Sequence, residues 1–392
     1  MQVKKLQFEN KFQKLRIQGR IRSEWIHPDL LHFTSASRIR QTREYKENPR
    51  SLKPGLTVIV PAYNERDSIG DTIQSLQKQT LPPSEIIIVD DCSTDGTGEV
   101  ARSYGVTTIR PPINTGSKAG AQNFALGHVQ TELAMALDAD TTLAPDAIEK
   151  LIPAFLDPAV AAACGYVIPR FVNTIWERGR YIEYLLAFTW YKPIQDYYEK
   201  PLISSGCFSM YRTKILLENR GWPTRTLAED MDLTWSYYQK GYKVRFLPEA
   251  VSYPIEPHNF LFMRKQLKRW SHGFVQNVKV HWRAILEIPY LRSFIMVAFW
   301  DAIIASIAYL IVLPLIALLF RNPFILVGYI IDVPVVLLPA IYTGKKRHEV
   351  SQVIASVPFF FILRTLNAFY ILEAIFKELV IKRSFKTYEK GH

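Results

Sequence analysis

Asp138 and Asp140 stand two residues apart, with the small Ala139 between them, directly after the apolar run Leu133-Ala134-Met135-Ala136-Leu137. A short apolar run bounded by polar residues suits a buried strand of a parallel sheet. In open α/β sheets, ligands bind in the crevice outside the carboxyl ends of the strands. Two carboxylates at that place could hold a hard divalent cation against a phosphate, with a solvated turn as the competing reading. A second run, Glu85–Val89, ends in Asp90-Asp91-Cys92-Ser93. Further on, Gly116 and Gly120 flank Lys118 at the opening of a helix expected to run through Leu126. Glycines permit close backbone approach, a helix N-terminus favours anions, and a lysine adds a point charge, with an ordinary solvated turn as the default reading of such a loop by itself.

Three acids, Glu229, Asp230 and Asp232, lie in T-L-A-E-D-M-D-L (226–233) at the start of another expected helix. Thr226 is the expected cap, with Glu229 completing a capping box. The acids either complement the helix dipole or include a general base beside a sugar acceptor. Gln266, Arg269 and Trp270 fall at i, i+3, i+4 and share one helical face. An amide, a guanidinium and an indole on one face could hold a pyrophosphate and stack a sugar; membrane anchoring by Trp and basic residues is the alternative. Ser204, Ser205, Gly206 and Cys207 open the segment Leu202–Tyr211, which reads as a small-residue strand where something approaches closely.

The elements that must position these residues are read from periodicity. Leu56–Val60 and Glu85–Val89 read as strands, and Ile69, Ile73 and Leu76 between them recur at helical spacing. That is a βαβ unit, whose connection is right-handed. Val106–Ile109, Leu133–Leu137 and Ala161–Ile168 are further strands, with a helix over Pro145–Leu156. Separate strand ends of one sheet thus deliver carboxylates or a Gly-Lys-Gly loop, which favours a nucleotide-diphosphate site with a metal. Ile175–Tyr198 is rich in aromatics, which suit sugar stacking, a membrane interface or the core.

The net charge of +12 is uneven: residues 1–55 hold 13 Lys/Arg against 5 Asp/Glu. A basic excess suits nucleic acid or an anionic membrane, and the C-terminal third decides for membrane. Phe294–Phe320, Pro323–Tyr342 and Val353–Phe376 are apolar apart from Asp301, Asp332, Arg364 and Glu373. Each is long enough to cross a hydrocarbon core, which needs about 20 residues. Ionisable groups at such depth face a polar path or pair between helices. Phe8, Phe12 and Leu15 among six basic residues suit an amphipathic helix on the membrane surface, a disordered basic tail being the alternative. No apolar h-region of a signal peptide is seen at the N-terminus. Cys92, Cys164 and Cys207 show no metal-type spacing and read as reduced thiols. If three spans cross, the basic tail after Phe376 lies outside, against the positive-inside rule.

V-P-A-Y-N-E (60–65), D-D-C-S-T-D-G-T (90–97), N-T-G-S-K-A-G-A-Q-N (114–123), D-A-D (138–140), S-G-C-F-S (205–209), A-E-D (228–230) and Q-L-K-R-W (266–270) together resemble the processive membrane glycosyltransferases of family 2. These are the cellulose, chitin, hyaluronan and poly-N-acetylglucosamine synthases. The resemblance covers roughly residues 56–282. It implies an α/β fold of the nucleotide-diphospho-sugar transferase (GT-A) type, with a mostly parallel sheet followed by interfacial and transmembrane helices. Its divisions are a basic segment (1–55), a cytosolic transferase domain (56–257), interfacial helices (258–292), about three transmembrane segments (293–376) and a basic tail (377–392).

By the resemblance, Tyr63, Glu65 and Asp91 grip the nucleoside, Lys118 the diphosphate, and Asp138 the nucleotide side. Asp140, with Asp138, takes Mg2+ or Mn2+. Asp230 is the general base with Glu229 beside it, Gln266 and Arg269 contact the diphosphate, and Trp270, Gly206 and Cys207 line the acceptor. The implied activity is inverting transfer from a UDP-sugar, favoured as UDP-N-acetylglucosamine, onto a growing β-linked polysaccharide. A single addition onto a lipid carrier, or a non-catalytic nucleotide-sugar-binding subunit, are the alternatives. Nucleic acid is not an expected partner; membrane lipid is, and a homo-oligomer or an accessory export subunit fits the family. The chain departs from the family in carrying Ala228 where T-E-D is usual. It also shows no N-terminal transmembrane helices, which many polymerising members have.

Overall fold

A computed structural model describes residues 54–330 and 333–385. The amphipathic pattern in residues 1–22, Asp332 and the last residues of the basic tail lie outside the described residues, as does the side chain of Asp301. Among the described residues one sheet contains β1 (Leu56–Ala62), β2 (Glu85–Asp90), β3 (Thr107–Ile109), β4 (Leu133–Leu137), β5 (Thr142–Leu143), β6 (Val160–Val167), β7 (Phe208–Arg212) and β8 (Lys243–Tyr253). Their spatial order is β3-β2-β1-β4-β7-β6-β8-β5. The pairs β1–β2, β1–β4, β2–β3 and β6–β8 are parallel, whereas β7 runs against both β4 and β6, and β5 against β8. The amino end of β7 therefore shares one edge with the carboxyl ends of β1, β2, β4, β6 and β8. The site is built on that edge.

Both faces of the sheet are covered, which is why its central strands are unbroken apolar runs. Successive side chains of a strand point to opposite faces. Val58 and Val60 of β1 accordingly enter one buried layer and Ile59 the other. The helices in order are α1 (Ile69–Gln77), α2 (Thr97–Ser103), α3 (Lys118–Leu126), α4 (Ala147–Leu151), α5 (Ile175–Leu186), α6 (Lys192–Tyr197), α7 (Thr213–Glu218), α8 (Glu229–Gln239) and α9 (Phe260–Val280). Ile69, Ile73 and Leu76 are all buried on α1, as their spacing requires.

Several local expectations need correction. The segment Leu202–Tyr211 is not one strand: β7 begins only at Phe208, and residues 202–207 are a connection whose small residues turn beside β4. The helix expected over 145–156 is α4 followed by a tighter turn, Ile152–Leu156, because Pro153 removes a backbone donor. Thr226 does not cap α8. That helix starts at Glu229 with Ala228 as its N-cap residue, and the Thr226 hydroxyl instead donates to the Ala228 carbonyl at 3.3 Å. A reciprocal capping box does exist, at Thr174 and Glu177 opening α5. In the aromatic stretch 175–198, Tyr181 and Phe188 are core residues, while Tyr191, Tyr197 and Tyr198 are exposed.

Three further helical segments, Pro289–Leu319, Pro323–Lys346 and Val350–Val380, are long and apolar enough to cross a membrane. They contain the three apolar runs marked out by composition, except that the first helical segment ends at Leu319, one residue short of Phe320.

Asp196 on α6 ties that helix to β8. Its carboxylate accepts from Arg245 Nε at 3.0 Å and from the Phe246 amide at 2.7 Å, and both side chains are buried. Removing one partner of a buried pair leaves an uncompensated charge. Asp196→Ala should therefore lower stability by about 3 kcal/mol, read as a drop in the thermal unfolding midpoint of the purified protein. An unchanged midpoint would mean that Glu199, 3.5 Å from Arg245, suffices to hold the guanidinium.

Candidate active site

Lys118 opens α3, whose first turn is capped by the Ser117 hydroxyl accepting from the Gly120 amide at 3.1 Å. From there its side chain reaches the sheet edge. The ammonium pairs with Asp138 after β4, donates to the Gly206 carbonyl at 2.8 Å, and lies 3.9 Å from Glu229 at the start of α8. The same Gly206 peptide donates its N–H to Asp230 Oδ2 at 2.9 Å. Asp230 Oδ1 in turn accepts from the Met231 amide at 2.8 Å. One residue's backbone thus joins the cation to the second acid of A-E-D. A Cβ there would sit 3.0 Å from Asp230 Oδ2 and 3.3 Å from Lys118 Nζ, so any larger residue would push the two charged groups outward by a few tenths of an ångström.

Asp140 is buried and accepts from the Thr141 hydroxyl at 3.2 Å, while the Ala139 carbonyl accepts from Thr72 of α1 at 2.8 Å. Burial raises the Asp138 carboxyl above its ordinary value; Lys118 opposes the rise, Asp140 adds to it, and Arg269 opposes it again. Glu229 is likewise raised by burial, against Lys118, with Asp230 adding and Arg269 opposing. Arg269 therefore acts electrostatically on both acids, which brings the Q-L-K-R-W helix face to the same centre. Cys207 lies here too, its backbone carbonyl accepting from the Asp138 amide at 3.2 Å. Burial and the adjacent Asp138 push its thiol well up.

Tyr63, Glu65 and Asp91 stand just past the neighbouring strand ends. The Asp91 carboxylate accepts from the Thr115 amide at 2.8 Å and hydroxyl at 2.9 Å, so it also holds the loop that leads into α3. Asp90 is engaged by Arg110 at 2.7 Å. Glu65 is buried and accepts from Ser68 Oγ at 2.6 Å, whereas the Tyr63 ring just past β1 is exposed. Asn64 and Cys92 take left-handed backbone conformations, with φ of 55° and 64°. The two loops are laced together: the Asn64 amide donates to Ser93 Oγ at 3.0 Å and Asn64 Oδ1 accepts from the Thr94 amide at 2.9 Å.

Helix α9 is stitched to the acidic turn. Asn277 donates to the Ala228 carbonyl at 3.1 Å, and Gln276 accepts from the Leu227 amide at 3.0 Å. Gly273 packs so closely that a Cβ on it would lie 2.8 Å from the Ala228 Cβ. Asp232 is held apart from the cluster. It receives a bidentate pair from Arg225 at 2.9 and 2.7 Å and a hydrogen bond from His281 at 2.8 Å.

Two residues of the site were not legible in the sequence. Arg180 of α5 is fully buried, 3.4 Å from Glu256, and donates to Gln266 Oε1 at 2.6 Å. Its guanidinium also stacks 4.5 Å from the centre of the Trp270 ring. Glu256 accepts from Tyr184 at 2.8 Å and from the Gln266 amide at 3.4 Å. Burial raises the Glu256 carboxyl, Arg180 opposes this, and Asp140 adds to it. The amide of Gln266 is thus engaged between Arg180 and Glu256. Glu256 could have been found as an acid following a strand, had the irregular run of β8 been read as one; Arg180 carries no such signal.

Among the described residues, no group of three His, Cys, Asp or Glu side chains is arranged to hold a metal ion. A magnesium-type ion, however, commonly takes one or two carboxylates plus substrate phosphates and water. The Asp138–Asp140 pair, with its mutual repulsion, fits that demand.

Residues 57–219 match the family model described as glycosyl transferase family 2. A poly-beta-1,6-N-acetyl-D-glucosamine synthase of Staphylococcus epidermidis is 28% identical over 224 residues, 56% of this chain and 54% of that protein. The synthase of Staphylococcus aureus strain MSSA476 is 28% identical over 247 residues, 62% of this chain and 60% of that protein. The chain therefore spans little more than half the length of these curated relatives. Among solved structures, a mannosyltransferase from Pyrobaculum calidifontis, in complex with GDP-Man and Mn2+, aligns with a TM-score of 0.55 at 20% identity, over 91% of this chain and 97% of that one. At that identity the likeness is one of fold, the GT-A type sheet with C-terminal helices.

Burial alone would raise the Asp232 carboxyl, but the hydrogen bonds and charges of Arg225 and His281 hold it below its ordinary value. Its contribution to stability is therefore present above the unfolded carboxyl pKa and lost as pH falls through the lower folded value. Asp232→Asn should destabilise the protein by about 2 kcal/mol near neutrality. The difference from wild type should shrink in acid, as measured by unfolding at several pH values. A deficit that does not change with pH would remove this ionic account.

Proposed function

We propose, for a chain whose residues 57–219 form a glycosyltransferase family 2 domain, inverting transfer of a sugar from a UDP-sugar to a growing β-linked polysaccharide at the membrane. The domain faces the cytoplasm in this reading, and UDP-N-acetylglucosamine is the favoured donor because of the synthases it resembles. The observation that carries the proposal is the Gly206 backbone, clamped between Lys118 and Asp230 at the edge where Asp138 and Asp140 end β4.

Asp230 is the general base. It removes the proton of the acceptor hydroxyl as that oxygen bonds to the anomeric carbon, and the bond from that carbon to the diphosphate oxygen breaks on the opposite side. Glu229 shares the acceptor side and balances Lys118. Charge develops on the β-phosphate, where Lys118 and Arg269 are available to offset it, an effect worth several kcal/mol. Tyr63, Glu65 and Asp91 hold the nucleoside, and Trp270 lies under the acceptor sugar beside Gly206 and Cys207. Asp138 and Asp140 would hold Mg2+ or Mn2+, which when bound neutralises the diphosphate. Gln266 was expected on the diphosphate; its bonds to Arg180 and Glu256 support a positioning role, fixing the ring of Trp270 through α9.

Incubating the purified protein with a panel of UDP-sugars and Mg2+ or Mn2+, then sizing the product, tests the proposal. A ladder of oligomers is the expected result. A lone sugar on lipid would replace polymerisation by single addition, and absence of nucleotide release with every donor would leave only a binding role. General-base help contributes about 10²–10⁴-fold. Asp230→Asn should accordingly keep donor affinity but lose most turnover; retention of more than about a tenth of the rate would rule Asp230 out as the base.

Asp140→Ala should abolish the metal dependence of donor binding measured by calorimetry, and full metal-dependent affinity in this variant would remove its role. Lys118 lowers both Asp138 and Glu229. Lys118→Met should thus raise both carboxyls further and move the acid limb of the rate–pH profile upward by about one unit or more. An unmoved limb would dissociate these acids from turnover.

A further inference from the structure

We infer that the apolar helix Val350–Val380 lies in the plane of the membrane against the transferase domain and does not cross, so that the C-terminal tail is on the same side as the active site. The inference rests on the proposed membrane location. At 31 residues the helix is about 46 Å long, ample for a core of about 30 Å. Its contacts nevertheless keep it beside the domain from one end to the other.

Just before its start, Glu349 accepts from Tyr181 of α5 at 2.6 Å. Further along, the Phe359 carbonyl packs against Gly179 of α5, and Leu363 and Tyr370 share a buried cluster with Met263 and Leu267 of α9. Glu373 lies 3.7 Å from Lys268 of α9. At the far end, Glu378 is buried and accepts from His272 at 2.9 Å and Gln276 at 2.8 Å, and the Phe385 ring stacks on His272 at 5.0 Å. A helix with both ends on α5 and α9 cannot deliver its terminus to the far side of a bilayer from them.

The outward side is apolar. Ile354, Ile362, Phe369 and Phe376 are all exposed, at spacings of eight, seven and seven residues, which places them on one stripe away from the domain. The occupant of that stripe is the bilayer interface, because the helix continues directly from the apolar segments Pro289–Leu319 and Pro323–Lys346. Charge agrees. Lys377, Lys382, Arg383, Lys386 and Lys390 stand against Glu378 and Glu389 after Phe376, and a basic tail belongs on the cytoplasmic side. The conflict that three full crossings create with this rule disappears.

The test compares cysteines placed singly in the full chain: Lys390→Cys in the tail and Glu99→Cys on the exposed face of α2. A membrane-impermeant maleimide is applied to intact cells and to sealed inverted vesicles, with the unaltered chain giving the background of its native cysteines. Labelling of both positions from the same membrane face is the expected result. Labelling from opposite faces overturns the inference and leaves the membrane reading standing. Release of the unaltered chain from membranes by alkaline carbonate overturns the membrane reading, and the inference with it.

Discussion

Everything at the sheet edge is arranged around one ammonium group. Lys118 reaches Asp138, the Gly206 carbonyl and Glu229, three points supplied by three different elements. Asp138 and Glu229 both sit above their ordinary carboxyl range even with that cation present. Burying like charges is costly without compensation, so the acids hold their places through Lys118 and Arg269. In the proposed reaction such a cluster would be preorganised for charge that arrives later on a substrate. Its donors already point at one place and need little rearrangement.

The reversed strand β7 is what lets the cluster close. In a wholly parallel sheet the neighbour of β4 would bring its carboxyl end to this edge. Because β7 runs the other way, the turn preceding it passes beside Asp138. Gly206 then presents its carbonyl to Lys118 and its N–H to Asp230. Asp230 is held from behind by α9, whose Asn277, Gln276 and Gly273 fix the turn Leu227–Ala228. The same helix carries Arg269 and Trp270, so one element both braces the acid turn and presents the indole.

A second network, centred on buried Arg180, mounts that element on α5. Arg180 meets Glu256, Gln266 and the Trp270 ring together. Buried guanidinium groups are stable only when their hydrogen bonds and charge are matched, so this arrangement has little freedom to slip. On its other side the same α5–α9 pair supports the helix Val350–Val380. The apolar C-terminal part of the chain is thereby in contact with the helices that carry Arg180, Gln266 and Trp270.

The order of apolar runs was enough to anticipate an α/β sheet and to mark Asp138, Asp140 and Lys118 at one end of it, whereas Glu229 and Asp230 were marked by their clustering at an expected helix start and by the family resemblance. These signals are local: a buried strand writes itself as an unbroken apolar run, and the residues just past its last apolar position must lie at an end of the sheet. Strand direction is not local. Nothing in Phe208–Arg212 says that it pairs antiparallel, so the small residues at 204–207 announced a close approach but not that Lys118 and Asp230 make it. Thr226 and Glu229 had capping-box spacing, yet the competing bonds of Thr226, to the Ala228 carbonyl and Asp232, decided otherwise. Arg180 and Glu256 lie 76 residues apart in sequence, and only the packing of α5 against the end of β8 makes them partners. Composition likewise marks three apolar segments as long enough to cross a membrane, but length and hydropathy are indifferent to direction. What a helix rests on is a tertiary fact, and Val350–Val380 is preceded by a contact with α5 and ends on α9.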